Sequence, residues 1–126
     1  MAAVRFFQDR RRPVAYRKVD HAFSRYRGLK VIERRPGWKG RYFHTATMTF
    51  AHYDFTRGST IHEHFHAEEE VYEVIEGELE MTIADVAQVV RPGVVAIVPS
   101  NARHSVKALT DGRVIIVDHP ARPDFG

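Results

Sequence analysis

From Gly40 onward the chain is punctuated by turn signals at short intervals: Arg57-Gly58-Ser59, Glu76-Gly77, Asp85, Pro92-Gly93, Ser100-Asn101 and Asp111-Gly112. The spacing leaves room for short strands and none for helices, and no segment after Gly40 keeps a helical period of useful length. Short strands at 8–12-residue spacing define an all-β sandwich or barrel. Residues 42–55 are rich in Thr and aromatics, as strands prefer, and read as one strand. Residues 71–75 form a second run. Residues 79–83 alternate cleanly, placing Leu79, Met81 and Ile83 on the inner face. Val89-Val90 leads into the Pro92-Gly93 turn, residues 94–98 are a short apolar run ending at Pro99, and residues 105–109 and 114–117 are the last strands. Before Gly40 the pattern is weaker. Arg10-Arg11-Arg12-Pro13 marks a break, Pro36-Gly37 and Lys39-Gly40 read as turns, and short strands are expected near residues 15–19 and 29–33.

The 126 residues fit one domain, in which 1–41 is a basic N-terminal arm and 42–126 the barrel. Cysteine is absent, which excludes disulfides, Cys-ligated zinc and thiol nucleophiles, so any metal must be held by His and carboxylates. No apolar run reaches the ~18 residues needed to span a membrane. The first nine residues lack the apolar core of a secretory signal, so the expected location is the cytoplasm.

The net charge of +3 hides an asymmetry: residues 1–41 carry +10 and residues 42–126 carry −7. A basic arm can contact a polyanion. It can also pack on an acidic face of its own barrel or of a second subunit. Phe6, Phe7, Tyr16, Phe23 and Tyr26 are interspersed among the basic residues and favour docking. With no nucleic-acid-binding motif in the chain, nucleic acid is not the expected partner.

Residues 62–66 read His-Glu-His-Phe-His. On a strand, side chains two apart share a face, so His62, His64 and His66 would lie together, with Glu63 and Phe65 opposite. Imidazoles so placed can converge on one ion. Glu70 opens the next strand; if it points inward, so do Tyr72 and Val74. Glu68 and Glu69 flank it and compete for the same role. His104 follows the Ser100-Asn101 turn on a strand that a barrel can bring alongside. Three imidazoles and a carboxylate suit one divalent transition metal (Fe, Mn, Ni, Zn, Co or Cu). Held octahedrally, such an ion keeps two positions for substrate, oxygen or water.

These residues resemble the two motifs of the cupin superfamily. Gly58, His64, His66, Glu70 and Gly77 fit G-x5-H-x-H-x3-E-x6-G at every position. Gly93, Pro99 and His104 fit G-x5-P-x-G-x2-H-x3-N, with Asn101 for the usual Gly, Ala108 for the usual Asn, and Val94 where an acid often stands. Asn101 also tolerates the positive φ that turn often needs. The resemblance implies a six- to eight-stranded jelly-roll barrel, commonly a homodimer, with a metal held by His64, His66, Glu70 and His104. The superfamily includes dioxygenases, isomerases, epimerases, lyases, decarboxylases and storage proteins, so it implies no single reaction.

The expected function is that of a mononuclear metal-binding cupin enzyme acting on a small organic acid or sugar-like substrate. The alternative is a non-catalytic cupin that binds or senses a metal or small ligand. A metal-free sugar epimerase fits less well, because the ligand set is intact. His62 and Tyr72 are the candidate proton carriers. Met48, Phe50 and His52, of one parity, are candidate pocket residues whose face the sequence leaves open. Arg103, beside His104, can meet an anionic substrate or form an ion pair at the rim. Exposed Phe65 adds to the case for a dimer.

Overall fold

The structure, a computed structural model, describes residues 23–125. A 3-10 turn, Tyr26–Gly28, precedes ten strands: β1 Ile32–Arg35, β2 Trp38–His44, β3 Thr49–Phe55, β4 Thr60–His64, β5 Glu69–Glu76, β6 Leu79–Ile83, β7 Val86–Val90, β8 Val95–Val98, β9 His104–Ala108 and β10 Gly112–His119. They form a six-stranded sheet ordered β1-β2-β3-β10-β5-β8 and a four-stranded sheet ordered β4-β9-β6-β7, every pairing antiparallel. The all-β expectation therefore holds, with ten strands in place of six to eight. Among the described residues no helix is long and apolar enough to cross a membrane.

The inner faces carry the core in the alternation expected of half-buried strands. Trp38, Tyr53 and Phe55 pack at one end, with ring centroids 5.8 and 5.5 Å from Trp38. Leu79, Met81, Val106, Val114 and Ile116 fill the middle, and Leu79 and Met81 are inward as read from the sequence.

Several local expectations change. Residues 42–55 are not one strand: β2 and β3 form a hairpin around residues 45–48. Inward positions on β3 are Thr49, Ala51, Tyr53 and Phe55, so Phe50 and His52 face outward and Met48 lies in the turn. None of the three lines the interior cavity. Lys39-Gly40 is not a turn but part of β2. Gly40 is needed there for close approach, since a Cβ would lie 2.8 Å from the Tyr53 ring. The sheet begins at Ile32, inside the segment read as the arm, and the early strand lies at Ile32–Arg35 in place of 29–33. The strand expected at 15–19 falls outside the described residues.

Other turn signals are met. Gly77 has φ +84°, and a Cβ there would collide with the Asp111 carbonyl. Asp85 and Asn101 adopt φ +70° and +64°, left-handed positions that short polar side chains tolerate.

Candidate metal centre

Each sheet contributes to the centre. β4 and β9 pair so that His64 lies opposite His104 on the four-stranded sheet. Glu70 points inward from β5 of the facing sheet and is 5% exposed. His66 lies in the connection between β4 and β5, so the folding back of the chain brings it over the other three.

One atom each of His64, His66 and His104 can be chosen so that all lie within 4.8 Å of one another. Glu70 Oε1 is 3.2 Å from His104 Nε2 and 3.6 Å from His66 Nε2. Two ligands ~2.1 Å from one ion and at right angles across it stand ~3 Å apart, close to these spacings.

The hydrogen bonds settle which nitrogens are available. His64 Nδ1 donates to the His62 carbonyl at 2.8 Å, His66 Nδ1 to that of Glu68 at 3.0 Å, and His104 Nδ1 to that of Ala102 at 2.9 Å. A carbonyl can only accept, so each Nδ1 carries the proton and each neutral ring keeps its lone pair on Nε2. Metal-ligating imidazoles are oriented in this way. The buried His66 Nε2, His104 Nε2 and Glu70 Oε1 have no hydrogen-bond partner. Lone pairs facing a carboxylate oxygen in a dry interior require a proton or a cation between them. A divalent ion fits this donor set.

The protonation preferences agree. The Glu70 carboxylate, 3.6 Å from His66 Nε2 and opposed by burial, raises the His66 pKa above the usual imidazole value. Burial alone would push the Glu70 carboxyl up, but His104, His66 and the adjacent Asp118 hold it well below the usual carboxylate range. The pocket stabilises positive charge beside an ionised Glu70.

Asp118 and Arg122 were not singled out from the sequence. Asp118 is paired with Glu70 in the β5–β10 register and is 2% exposed. Burial, then the neighbouring Glu70, push its carboxyl up. Arg122 Nη1 lies 3.6 Å from Asp118 Oδ2 and 4.0 Å from Glu70 Oε2. Alternation of Val114 and Ile116 with Asp118 on β10 was the available signal, because it puts an acid at an inward position.

A cavity of about 50 Å³ adjoins the centre, lined by His64, Glu70, Tyr72, Asp118 and the guanidinium-bearing Arg35 and Arg122, among others. Tyr72 is inward and 2% exposed, as its shared parity with Glu70 implied. Burial, with the nearby Glu70 charge, raises its pKa and keeps the phenol neutral. His62 is corrected: its side chain is exposed and does not line the cavity. A register irregularity between Ile61 and His64 breaks the two-residue alternation, so those two face inward and His62 faces out. What His62 provides is its carbonyl. Arg103 also lies outside the cavity, with its guanidinium over the exposed Phe65 ring at 5.3 Å. Glu69 is exposed, and Glu68 Oε1 lies 3.6 Å from His66 Nδ1, on the side of the ring away from the other donors.

Residues 51–120 match the cupin domain family model, more than half of the chain, and the chain belongs to that family. It is similar in structure to an RmlC-like cupin from Shewanella frigidimarina, with a TM-score of 0.78, 25% identity, and coverage of 83% of this chain and 96% of that one. KdgF from Halomonas sp. gives a TM-score of 0.78 at 23% identity, covering 83% and 98%. A variant of oxalate decarboxylase from Bacillus subtilis gives 0.68 at 20% identity, covering 82% of this chain but 32% of that longer one. Another structure of that decarboxylase belongs to work on its Mn(II) centers. No match was found among curated proteins.

Proposed function

We propose that this cupin is a mononuclear metal-dependent enzyme acting on a small organic acid, sugar-like acids included. The observation that carries the proposal is the convergence of His66 Nε2, His104 Nε2 and Glu70 Oε1, buried and unpartnered, while every imidazole is fixed through Nδ1. His64, His66, Glu70 and His104 would hold the ion. When bound, a divalent ion would supply Lewis-acid polarisation of a substrate oxygen.

The chain's own groups support an anionic substrate. Arg35 and Arg122 line the cavity, against two carboxylates, Glu70 and Asp118. With a divalent ion added, positive charge exceeds negative, and such a pocket draws in carboxylates. Arg122 would orient the substrate carboxylate bidentately. Asp118 and Tyr72, which both line the cavity, are its proton carriers.

Elemental analysis of untagged protein is expected to find about one equivalent of metal per chain, lost in His64→Ala. Full metal content in that variant would reject the ligand assignment.

We also propose a homodimer. Phe43, Phe50, Val117, Val71 and Ile97 are register neighbours on the outer face of the six-stranded sheet, an apolar row crossing five strands. Phe43 and Phe50 stack at 4.9 Å, and Ile97 is 57% exposed. Outer faces of antiparallel sheets are ordinarily polar, and an apolar one marks an interface. Light scattering is expected to give twice the chain mass, reduced to monomer by Ile97→Lys. A monomeric parent would reject the dimer.

A further inference from the structure

The cavity beside the metal ligands is too small for the substrate class proposed above. About 50 Å³ is room for a few water molecules, whereas sites for organic ligands run to about 300 Å³ and more. Some wall must move. Nine of its eleven lining residues lie on strands. Arg122 and Phe125 alone lie off them, on the segment that follows β10.

That segment is held by hydrogen bonds and ring contacts, among them the Arg122 guanidinium 4.0 Å over the Phe125 ring. Arg122 N–H donates to the buried Thr49 Oγ1 at 2.7 Å, and Phe125 N–H to the Arg122 carbonyl at 3.0 Å, closing a turn. Arg34 donates to the Asp124 carbonyl at 2.9 Å, and its guanidinium lies over the Phe125 ring at 4.3 Å. His44 Nε2 lies 3.1 Å from the Phe125 carbonyl and must donate to it, which leaves Nδ1 to accept from the Thr49 hydroxyl at 2.8 Å. A relay of three hydrogen bonds thus runs from Arg122 through Thr49 and His44 to Phe125. Tyr42 meets the Phe125 ring edge-on at 5.6 Å. Arg34 and His44 are exposed, so water competes for both outer bonds.

We propose that residues 123–125 form a gate hinged at Arg122, with Phe125 as the door of the metal cavity and Arg34 and His44 as its latch. With the gate closed, Phe125 walls the cavity. Released, it swings outward while Arg122 stays tied to Thr49 and facing Asp118, ready for a substrate carboxylate. The gate rests on the reading of this cavity as a substrate site, but its test needs no metal.

The chain has no cysteine, so one introduced thiol is a clean probe. Ala51 lines the cavity, is 4% exposed, and lies on β3. In full-length Ala51→Cys protein, labelling by a bulky aromatic disulfide reagent is measured with and without Arg34→Ala, His44→Ala or Phe125→Ala. Each added substitution is expected to speed labelling about ten-fold or more, because gate opening limits access. Labelling of a control thiol at exposed Glu69 should not change. Equal rates in all backgrounds would overturn the gate, as would equal acceleration at both thiols, which signals general loosening. Arg34 and His44 line no part of the cavity, so these two variants keep the test decisive if Phe125→Ala fails to fold. A protein that binds no metal but shows gated labelling would reject the metal reading alone.

Discussion

Glu70→Gln is expected to weaken metal binding by about 100-fold or more, the upper end of what loss of an outer-shell partner costs. Glu70 is the only anion in the donor set, and its Oε1 faces two imidazole lone pairs at 3.2 and 3.6 Å. An amide of the same shape keeps an oxygen but loses the charge that offsets an incoming divalent ion. It also removes the carboxylate near Arg122, leaving the Arg122 guanidinium beside a neutral amide. Glu69→Gln, one residue away and exposed, is the matched control and should bind as the parent does. Competition against a chromogenic chelator measures both. Equal affinities for the two variants would remove Glu70 from the ligand set.

The second large effect concerns the fold. Trp38→Ala is expected to cost about 3–5 kcal/mol and lower Tm by roughly 10–20 °C. Trp38 is 1% exposed, begins β2, and meets Tyr53 edge-on and Phe55 at a tilt. Few neighbours are free to collapse into the space, since Tyr53 is held by a 2.7 Å hydrogen bond to Tyr42 and Phe55 by the β3 registers on both sides. Urea unfolding followed by Tyr fluorescence and circular dichroism reports the change. A loss below about 1 kcal/mol would mean that this end of the sandwich repacks freely. The centre lies elsewhere on the sheets, so folded Trp38→Ala protein should bind metal as the parent does.

What the sequence made legible follows from which signals are local. Gly and Pro punctuation marked most turns, and the two-residue period sorted β6 into inner and outer faces and tied Tyr72 and Val74 to the face of Glu70 on β5. The hairpin inside 42–55 was hidden because its turn uses no Gly, Pro, Asn or Asp. The Thr45 hydroxyl accepts from the Thr47 and Met48 N–H groups instead, a side chain doing the work of a turn residue. His62 was assigned to the wrong face because alternation counts residues, and the irregularity after Ile61 inserts one that the count cannot see. The resemblance to the two cupin motifs pointed to His64, His66, Glu70 and His104 as donors, and the fold brings these four side chains together. Arg122 and Phe125 follow the last strand, where no period applies, and only the three-dimensional path brings them to the cavity.

The carbonyls that hold the three imidazoles belong to positions 62, 68 and 102, each two residues from the ring it orients. A main-chain oxygen is present whatever the side chain. These rim positions can therefore exchange side chains during divergence while the ring orientations persist. Sequence drift at these three positions is thereby uncoupled from the imidazole cluster, so descendants of this chain can vary around the centre without re-aiming its nitrogens.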